Sequence, residues 1–239
     1  MINVEKIRKE KARILAIGSY PAILQSMLDF DFMSGNSTGI VGIIAVGRKY
    51  ERYFYGKKEI FIPVFSSIDE FLKKENNSVN YFLNLTSARR ILSSSLEVLE
   101  KIPSILGGVI FAENVPEAHS IQLYQKAVGQ NKFIVGPSSV GLLIPKVLKL
   151  GAIGGVDTQQ LIDSSLFENG NTAVFSASGG MTGELIRILA QNKIGISFAL
   201  SFGGDRFPIL SPSEAFLAAE KDPNTTNIVY FGELGGDDE

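Results

Sequence analysis

The chain has 239 residues, enough for one large domain or two ordinary ones with ample core. Its net charge of −2 makes no global electrostatic case for nucleic acid or an anionic membrane surface, and no apolar run reaches transmembrane length. The absence of cysteine excludes disulfides, thiolate metal sites and a cysteine nucleophile, and a single histidine excludes a multi-histidine metal centre.

Charged residues from Glu5 to Arg13 predict a solvated amphipathic helix, followed by a strand over Arg13–Gly18. A helix over Pro21–Phe30 starts on proline, where the missing N–H costs nothing. Asp29 and Asp31 alternate with apolar neighbours and read as polar positions at a helix end, not as a metal pair. Gly39–Val46 is an unbroken apolar run, as expected of a strand buried on both faces. A basic loop with Lys57 and Lys58 precedes a strand over Ile60–Phe65, and Ser67 with Glu70 forms a capping box for the next helix. Strands over Val79–Leu85, Ile105–Ala112 and Lys132–Pro137 alternate with helices over Ser87–Lys101 and Pro116–Gly129. That alternation predicts an α/β fold with a Rossmann-like, doubly wound parallel sheet whose ligands lie at the carboxyl ends of the strands. A second β-α-β series begins near Thr172 and has about three strands and two helices, fewer than such sheets usually carry. The expected division is 1–141 and 142–239, the second unit flavodoxin-like and truncated.

The sharpest signal is Val174-Phe-Ser-Ala-Ser-Gly-Gly-Met-Thr-Gly-Glu184, an apolar strand running through Ser-Gly-Gly straight into a helix. Such a helix start offers unpaired N–H groups and the positive end of its dipole to an anion. Ser178 adds a hydroxyl, and Gly179 and Gly180 remove side chains that would hold an anion away. Glycines also end the strands in Ala199-Leu-Ser-Phe-Gly-Gly-Asp-Arg206 and Val229-Tyr-Phe-Gly-Glu-Leu-Gly-Gly236. Together they suggest a built anion site, although each alone is ordinary turn chemistry. Asp205 and Arg206, read without further context, form a local ion pair.

Several segments carry a resemblance. They are Met27-Leu-Asp-Phe-Asp31, Tyr55-Gly-Lys-Lys-Glu-Ile-Phe-Ile-Pro-Val-Phe65, Asn84-Leu-Thr-Ser-Ala-Arg89, Ala112-Glu-Asn-Val-Pro-Glu117, Gly136-Pro-Ser-Ser-Val-Gly141 and the three glycine-lined strand ends. In this order and spacing they resemble the CoA-binding half of the succinyl-CoA synthetase α-subunit family, most closely its ATP-citrate lyase branch.

The resemblance implies a specific chemistry. ATP phosphorylates a histidine, the phosphate passes to citrate, and CoA attacks the citryl phosphate; citryl-CoA is then cleaved to acetyl-CoA and oxaloacetate. It implies that Ser178, Gly179 and Gly180 hold the phosphohistidine and the substrate carboxylate, with Gly180 favouring citrate over succinate. Glu233 would fix the histidine, and Glu113 would orient or deprotonate the CoA thiol. CoA itself would meet Gly18, Ser19, Lys57, Lys58, Thr86, Ser87 and Arg89. ATP and Mg2+ would bind outside this chain, on an ATP-grasp subunit or domain, beside a citryl-CoA lyase domain, in a cytoplasmic oligomer. No metal, nucleic-acid or membrane role is expected.

Some positions depart from the family. Gly18-Ser-Tyr-Pro21 stands where the succinate enzymes have G-x-x-G-x-x-G, and Ala177 stands where relatives often carry Arg. His119 lies on a predicted helix and does not resemble the phosphorylated Gly-His-Ala-Gly, so it reads as a surface helix residue. Two other readings stay open: another acid:CoA ligase, which Gly180 disfavours, and a non-catalytic nucleotide- or CoA-sensing module.

Overall fold

The structure, a computed structural model, describes residues 2–74 and 79–232. A short helix, α1 (Val4–Lys9), opens the chain, with Asn3 capping it by accepting from the Lys6 N–H. Then come β1 (Ile14–Ile17), α2 (Pro21–Met33), β2 (Ile40–Ile44), the hairpin strands β3 (Tyr50–Tyr55) and β4 (Lys58–Phe65), and α3 (Ile68–Lys74). β5 (Tyr81–Asn84), α4 (Ala88–Lys101), β6 (Gly107–Ile110), α5 (Glu117–Gly129) and β7 (Phe133–Val135) complete a seven-stranded sheet of order β3-β4-β2-β1-β5-β6-β7. Every neighbouring pair in it is parallel except β3–β4. The chain passes from β1 to β2 on one side, then crosses to β5 on the other. The strand order therefore reverses at β1, and a crevice opens at the carboxyl ends of β1 and β5.

A second sheet holds β8 (Gly141–Ile144), β9 (Leu148–Gly151), β10 (Thr172–Ser176), β11 (Ile196–Ser201) and β12 (Asn227–Phe231), in the order β12-β10-β11-β8-β9. Its helices are α6 (Thr158–Asp163), α7 (Gly179–Gln191) and α8 (Pro212–Lys221). β10 pairs in parallel with both β11 and β12, whereas β8 runs antiparallel to β11 and to β9. Here the order reverses at β10, so the second crevice lies where β10 enters α7.

The two sheets share a core. Ala16, Leu83, Val109 and Val135 from one face of the first sheet join Leu142, Leu150, Phe175 and Phe198 of the second in one buried cluster. The other face of the first sheet packs Leu15, Phe82 and Ile110 against Phe71, Ile91 and Leu123 of α3–α5. On the far face of the second sheet, Val174 and Ala199 meet Leu161, Ile186 and, reaching over from α2, Phe30.

The expected α/β alternation is present, with three differences. The expected basic loop is the tight turn of a hairpin: Lys57 lies in the turn, Lys58 opens β4, and an unpredicted strand, β3, precedes them with Glu51 and Tyr53 facing inward and Arg52 and Phe54 facing out. The β8–β9 hairpin and α6 were not predicted, and the hairpin gives the second sheet two antiparallel strands. The N-terminal helix is not simply solvated. It buries Val4 and Ile7, and Arg8 grips the buried Asp222 after α8 through both guanidinium nitrogens while also donating to the Ser197 carbonyl. Burial would raise the Asp222 pKa, but the bonds from Arg8 and Thr225 outweigh it and hold the carboxyl below its usual range.

A second polar link crosses the seam between α2 and β9. The fully buried Lys149 ammonium donates to Ser26 Oγ and to the Gly151 carbonyl, both at 2.8 Å. Nearby, Asp31 accepts from the Gly39 N–H at 2.7 Å. Burial pushes Lys149 down to about 7, despite the attraction of Asp29 and Asp31, and pushes Asp31 up to about 7. The expectation that Asp31 is an ordinary polar face is corrected: it is a buried carboxyl in a seam.

Two outcomes follow for urea denaturation. Arg8→Met should cost about 3–5 kcal/mol, because it strands a buried carboxylate. The fold binds the Lys149 proton more weakly than the unfolded chain does, so Lys149 makes stability rise as pH goes from about 7 up to its ordinary range. From pH 7 to 9 that gain is at most ~3 kcal/mol, and Lys149→Met should abolish it. Equal slopes in the two proteins would contradict the assignment.

Candidate functional site

The first crevice is built around Gly18. Its φ of +86° lets the chain turn away from β1, and a Cβ there would lie 3.2 Å from the Leu85 carbonyl carbon and 3.3 Å from the Thr86 nitrogen. The loops after β1 and β5 therefore lie in direct backbone contact. Asn84, buried at the end of β5, accepts from both the N–H and the hydroxyl of Thr86 and donates to Ser94 and Ser95 on α4. Ser87 occupies the N-cap of α4 but makes no side-chain capping bond, so the first turn keeps open donors. Arg89 is exposed on that turn, beside Arg90. Gly18, Thr86, Ser87 and Arg89 thus gather at one helix N-terminus, an arrangement suited to a phosphate. Ser19 joins them, with its hydroxyl donating to Glu51 at 2.7 Å.

Lys57 and Lys58 are not brought to this edge. β4 runs parallel to β2, so its first residue, Lys58, lies at the amino ends of the strands. Seven residue steps along β4, from Lys58 to Phe65, separate it from the carboxyl edge, roughly 23 Å at about 3.3 Å each. The tip is instead packed by the end of α2, where Phe32 lies edge-on to Tyr55 and over Gly56. The cations that this part of the sheet does bring to the carboxyl edge, besides Arg89 and Arg90 on α4, are Arg48 and Lys49, both exposed in the β2–β3 loop. Reading that loop as the approach to a single strand concealed them; the alternation Glu51-Arg-Tyr-Phe-Tyr55 was the signal of the extra strand.

The second crevice is the α7 N-terminus. Ser178 is its N-cap and its Oγ accepts from the Met181 N–H at 3.3 Å, leaving the hydroxyl proton for an anion. The Ser178 N–H is held by Ser176 Oγ, buried at the end of β10. The N–H groups of Gly179 and Gly180 lie in the first turn, where no helix carbonyl can receive them. The two glycines differ. A Cβ at 179 would come 2.5 Å from Val140, while one at 180 meets nothing nearer than Ser178 Oγ at 4.0 Å. Alongside, Gly179, Gly180, Gly183 and Arg187 line one wall of a cleft of about 470 Å³, opposite Gly154, Gly155 and α6.

The carboxyl edges of the two sheets meet. The loop after β6 carries Glu113, exposed, and the next two N–H groups, of Asn114 and Val115, donate to Asp205 after β11. Asp205 does not pair with Arg206, which instead faces Glu117 at 3.6 Å. Gly203, at φ +100°, sits so close to the Pro137 carbonyl that no Cβ fits, and Ser139 donates to the Ser201 carbonyl at 2.6 Å. Glu113 therefore stands where loops of both sheets are laced together. His119 is half-buried in the first turn of α5, with Nδ1 enclosed and unpartnered, rather than a plain surface residue. Glu233 lies outside the described residues. Among those described, no metal-binding cluster is present and no helix is long and apolar enough to cross a membrane.

No family model matches the chain. Known proteins do. "ATP-citrate synthase subunit 1" of Sordaria macrospora is 33% identical over 96% of this chain and 34% of its own length. "ATP-citrate synthase beta chain protein 1" of Oryza sativa is 36% identical over 90% of this chain and 35% of its own. The ATP citrate lyase of Methanothrix soehngenii, solved in complex with citrate and coenzyme A, superposes with a TM-score of 0.88 at 30% identity, over 95% of this chain and 37% of that one. A dinucleotide-forming acetyl-coenzyme A synthetase of Ca. Korarchaeum cryptofilum, at 19% identity and a TM-score of 0.67, shares the fold. This chain spans about a third of the length of the ATP-citrate synthase subunits it matches. Over that third, both sequence and architecture are similar to the ATP-citrate synthases and lyases.

Proposed function

We propose that this chain is the CoA-binding portion of an ATP-citrate lyase. The observation that carries the reading is the meeting of two switch-point crevices, one at Gly18 and Thr86, the other at Ser178 and Gly180, along adjoining carboxyl edges. The first suits CoA: backbone donors and the α4 N-terminus for phosphates, Thr86 and Ser87 for polar contacts, and Arg89 as a cation. The second suits a phosphorylated histidine and a carboxylate of citrate, which the α7 N–H groups and the Ser178 hydroxyl would hold as charge moves between them. Glu113, between the two, is in place to orient or deprotonate the thiol of CoA. The chemistry supported is phosphoryl transfer from histidine to citrate, then attack by CoA to give citryl-CoA. ATP and Mg2+ would be handled by an ATP-grasp partner, and cleavage of citryl-CoA by a separate lyase domain. A cytoplasmic oligomer is the setting that fits this reading.

Calorimetric titration of the chain with CoA should show saturable binding, weakened about tenfold in Arg89→Ala, with no response to NADH. Binding of NADH without CoA would replace this reading with a dinucleotide-sensing module. The two glycines of the second crevice should separate packing from function. Gly179→Ala should destabilise by about 1–3 kcal/mol through its contact with Val140. Gly180→Ala should fold at least as stably, yet in the complete enzyme it should raise the citrate concentration needed for half-maximal turnover. Equal stability losses would refute the distinction.

A further inference from the structure

Glu113 has no anchor of its own. Its side chain is exposed and makes no hydrogen bond or ion pair among the described residues. Where its carboxylate can reach is therefore decided by the backbone that carries it, and that backbone is held at two levels. The stem of the loop is tied to the segment after β7, where the Ser138 N–H donates to the Ala112 carbonyl at 2.8 Å. The tip is tied to the other sheet. Asn114 adopts a left-handed φ of +58°, and the N–H groups of Asn114 and Val115 converge on Asp205. Val115 donates to Oδ2 at 3.1 Å and Asn114 to Oδ1 at 3.3 Å, so each carboxylate oxygen takes one amide. Successive amides turned to one side form a concavity for an anion, and here the anion is a side chain of the same protein.

The neighbours of Asp205 place it for this role. Two residues earlier, Gly203 is pinned against the Pro137 carbonyl, on the same segment that ties the stem of the Glu113 loop. Asp205 also lies in the loop after β11, the strand beside β10, whose end opens the α7 crevice. Neither of its oxygens is taken by Arg206, whose guanidinium faces Glu117 instead. The grip thus fixes Glu113 relative to the crevice suited to the acyl group.

We propose that Asp205 is a positioning residue for acyl transfer to CoA, which holds the Glu113 carboxylate between the two crevices by gripping the two amides that follow it. This rests on the CoA reading above and adds the residue that places its base. In the step concerned, the Glu113 carboxylate takes the thiol proton and the sulfur bonds to the citryl carbonyl carbon. Phosphate then leaves with the electron pair of its carbon–oxygen bond. Asp205 acts through Glu113 and not on these atoms. Phosphorylation of the histidine and of citrate comes earlier and does not use Glu113, so it does not depend on the grip.

The test compares Asp205→Asn, Glu113→Gln and their double in the complete enzyme. Asparagine keeps one acceptor oxygen but turns an NH2 group toward the second amide, so one bond is replaced by two opposed donors. The readouts are kcat, the KM for CoA, and the ADP released from ATP and citrate before CoA is added. Asp205→Asn should lower kcat about ten- to hundredfold, the scale of a displaced catalytic group. Its KM for CoA should stay within about twofold of the parent, and its ADP release should be unchanged. The double variant should be no slower than Glu113→Gln alone. Parent-like kcat in Asp205→Asn, additive losses in the double, or ADP release that falls in step with kcat would overturn the proposal and leave the CoA reading standing. Parent-like turnover in Glu113→Gln would remove the role of Glu113 and the proposal with it. No CoA binding by the parent chain in calorimetry would overturn the reading itself.

Discussion

A parallel sheet must be covered on both faces, and here each sheet supplies part of the cover for the other. The shared cluster, in which Val109 and Val135 meet Leu142 and Phe198, fixes how the two sheets face one another. Everything functional depends on that packing. Because the sheets meet along β6, β8 and β9, their carboxyl edges turn toward one another, and the loops after β6, β7 and β11 can interlock through Gly203, Ser139 and Asp205. An apolar core fixes the relation between the two crevices with less tolerance for slip than a flexible linker would.

Polar groups in the seam add specificity to that packing. The Lys149 ammonium and the Arg8–Asp222 pair bury charge, which is rarely a gain over well-packed apolar side chains. Their geometry allows one arrangement only: the Lys149 ammonium must find Ser26 on α2, and Arg8 must find Asp222 beyond α8. A slid or rotated packing of the halves would leave these charges uncompensated. The buried charges thus penalise alternatives more than they favour the native state.

Much of this was legible in the chain. Unbroken apolar runs such as Gly39–Val46 mark strands covered on both faces, and Ser178-Gly-Gly marks a helix start without ambiguity, because strand, turn and helix follow with no spare residue. What was hidden depended on partners distant in sequence. Lys57 and Lys58 look like a phosphate-binding loop until β4 is known to be parallel to β2, which sends them to the wrong end. Arg48 and Glu51 look like an ordinary charged loop until Ser19 is brought beside them by the β1–β2–β4–β3 order. Asp31 and Lys149 each look exposed in sequence, since nothing local reports that α2 and β9 are packed together. Local periodicity reveals elements, whereas the sign and use of a charged side chain are set by which end of which sheet it reaches.

The Arg8–Asp222 bond also says something about synthesis. The two residues are 214 positions apart, so the first helix leaves the ribosome long before its counterion exists. Until α8 and the turn after it emerge, Arg8 lacks the carboxylate that it grips in the folded chain. The clasp can close only once β11, α8 and the turn after it have been translated.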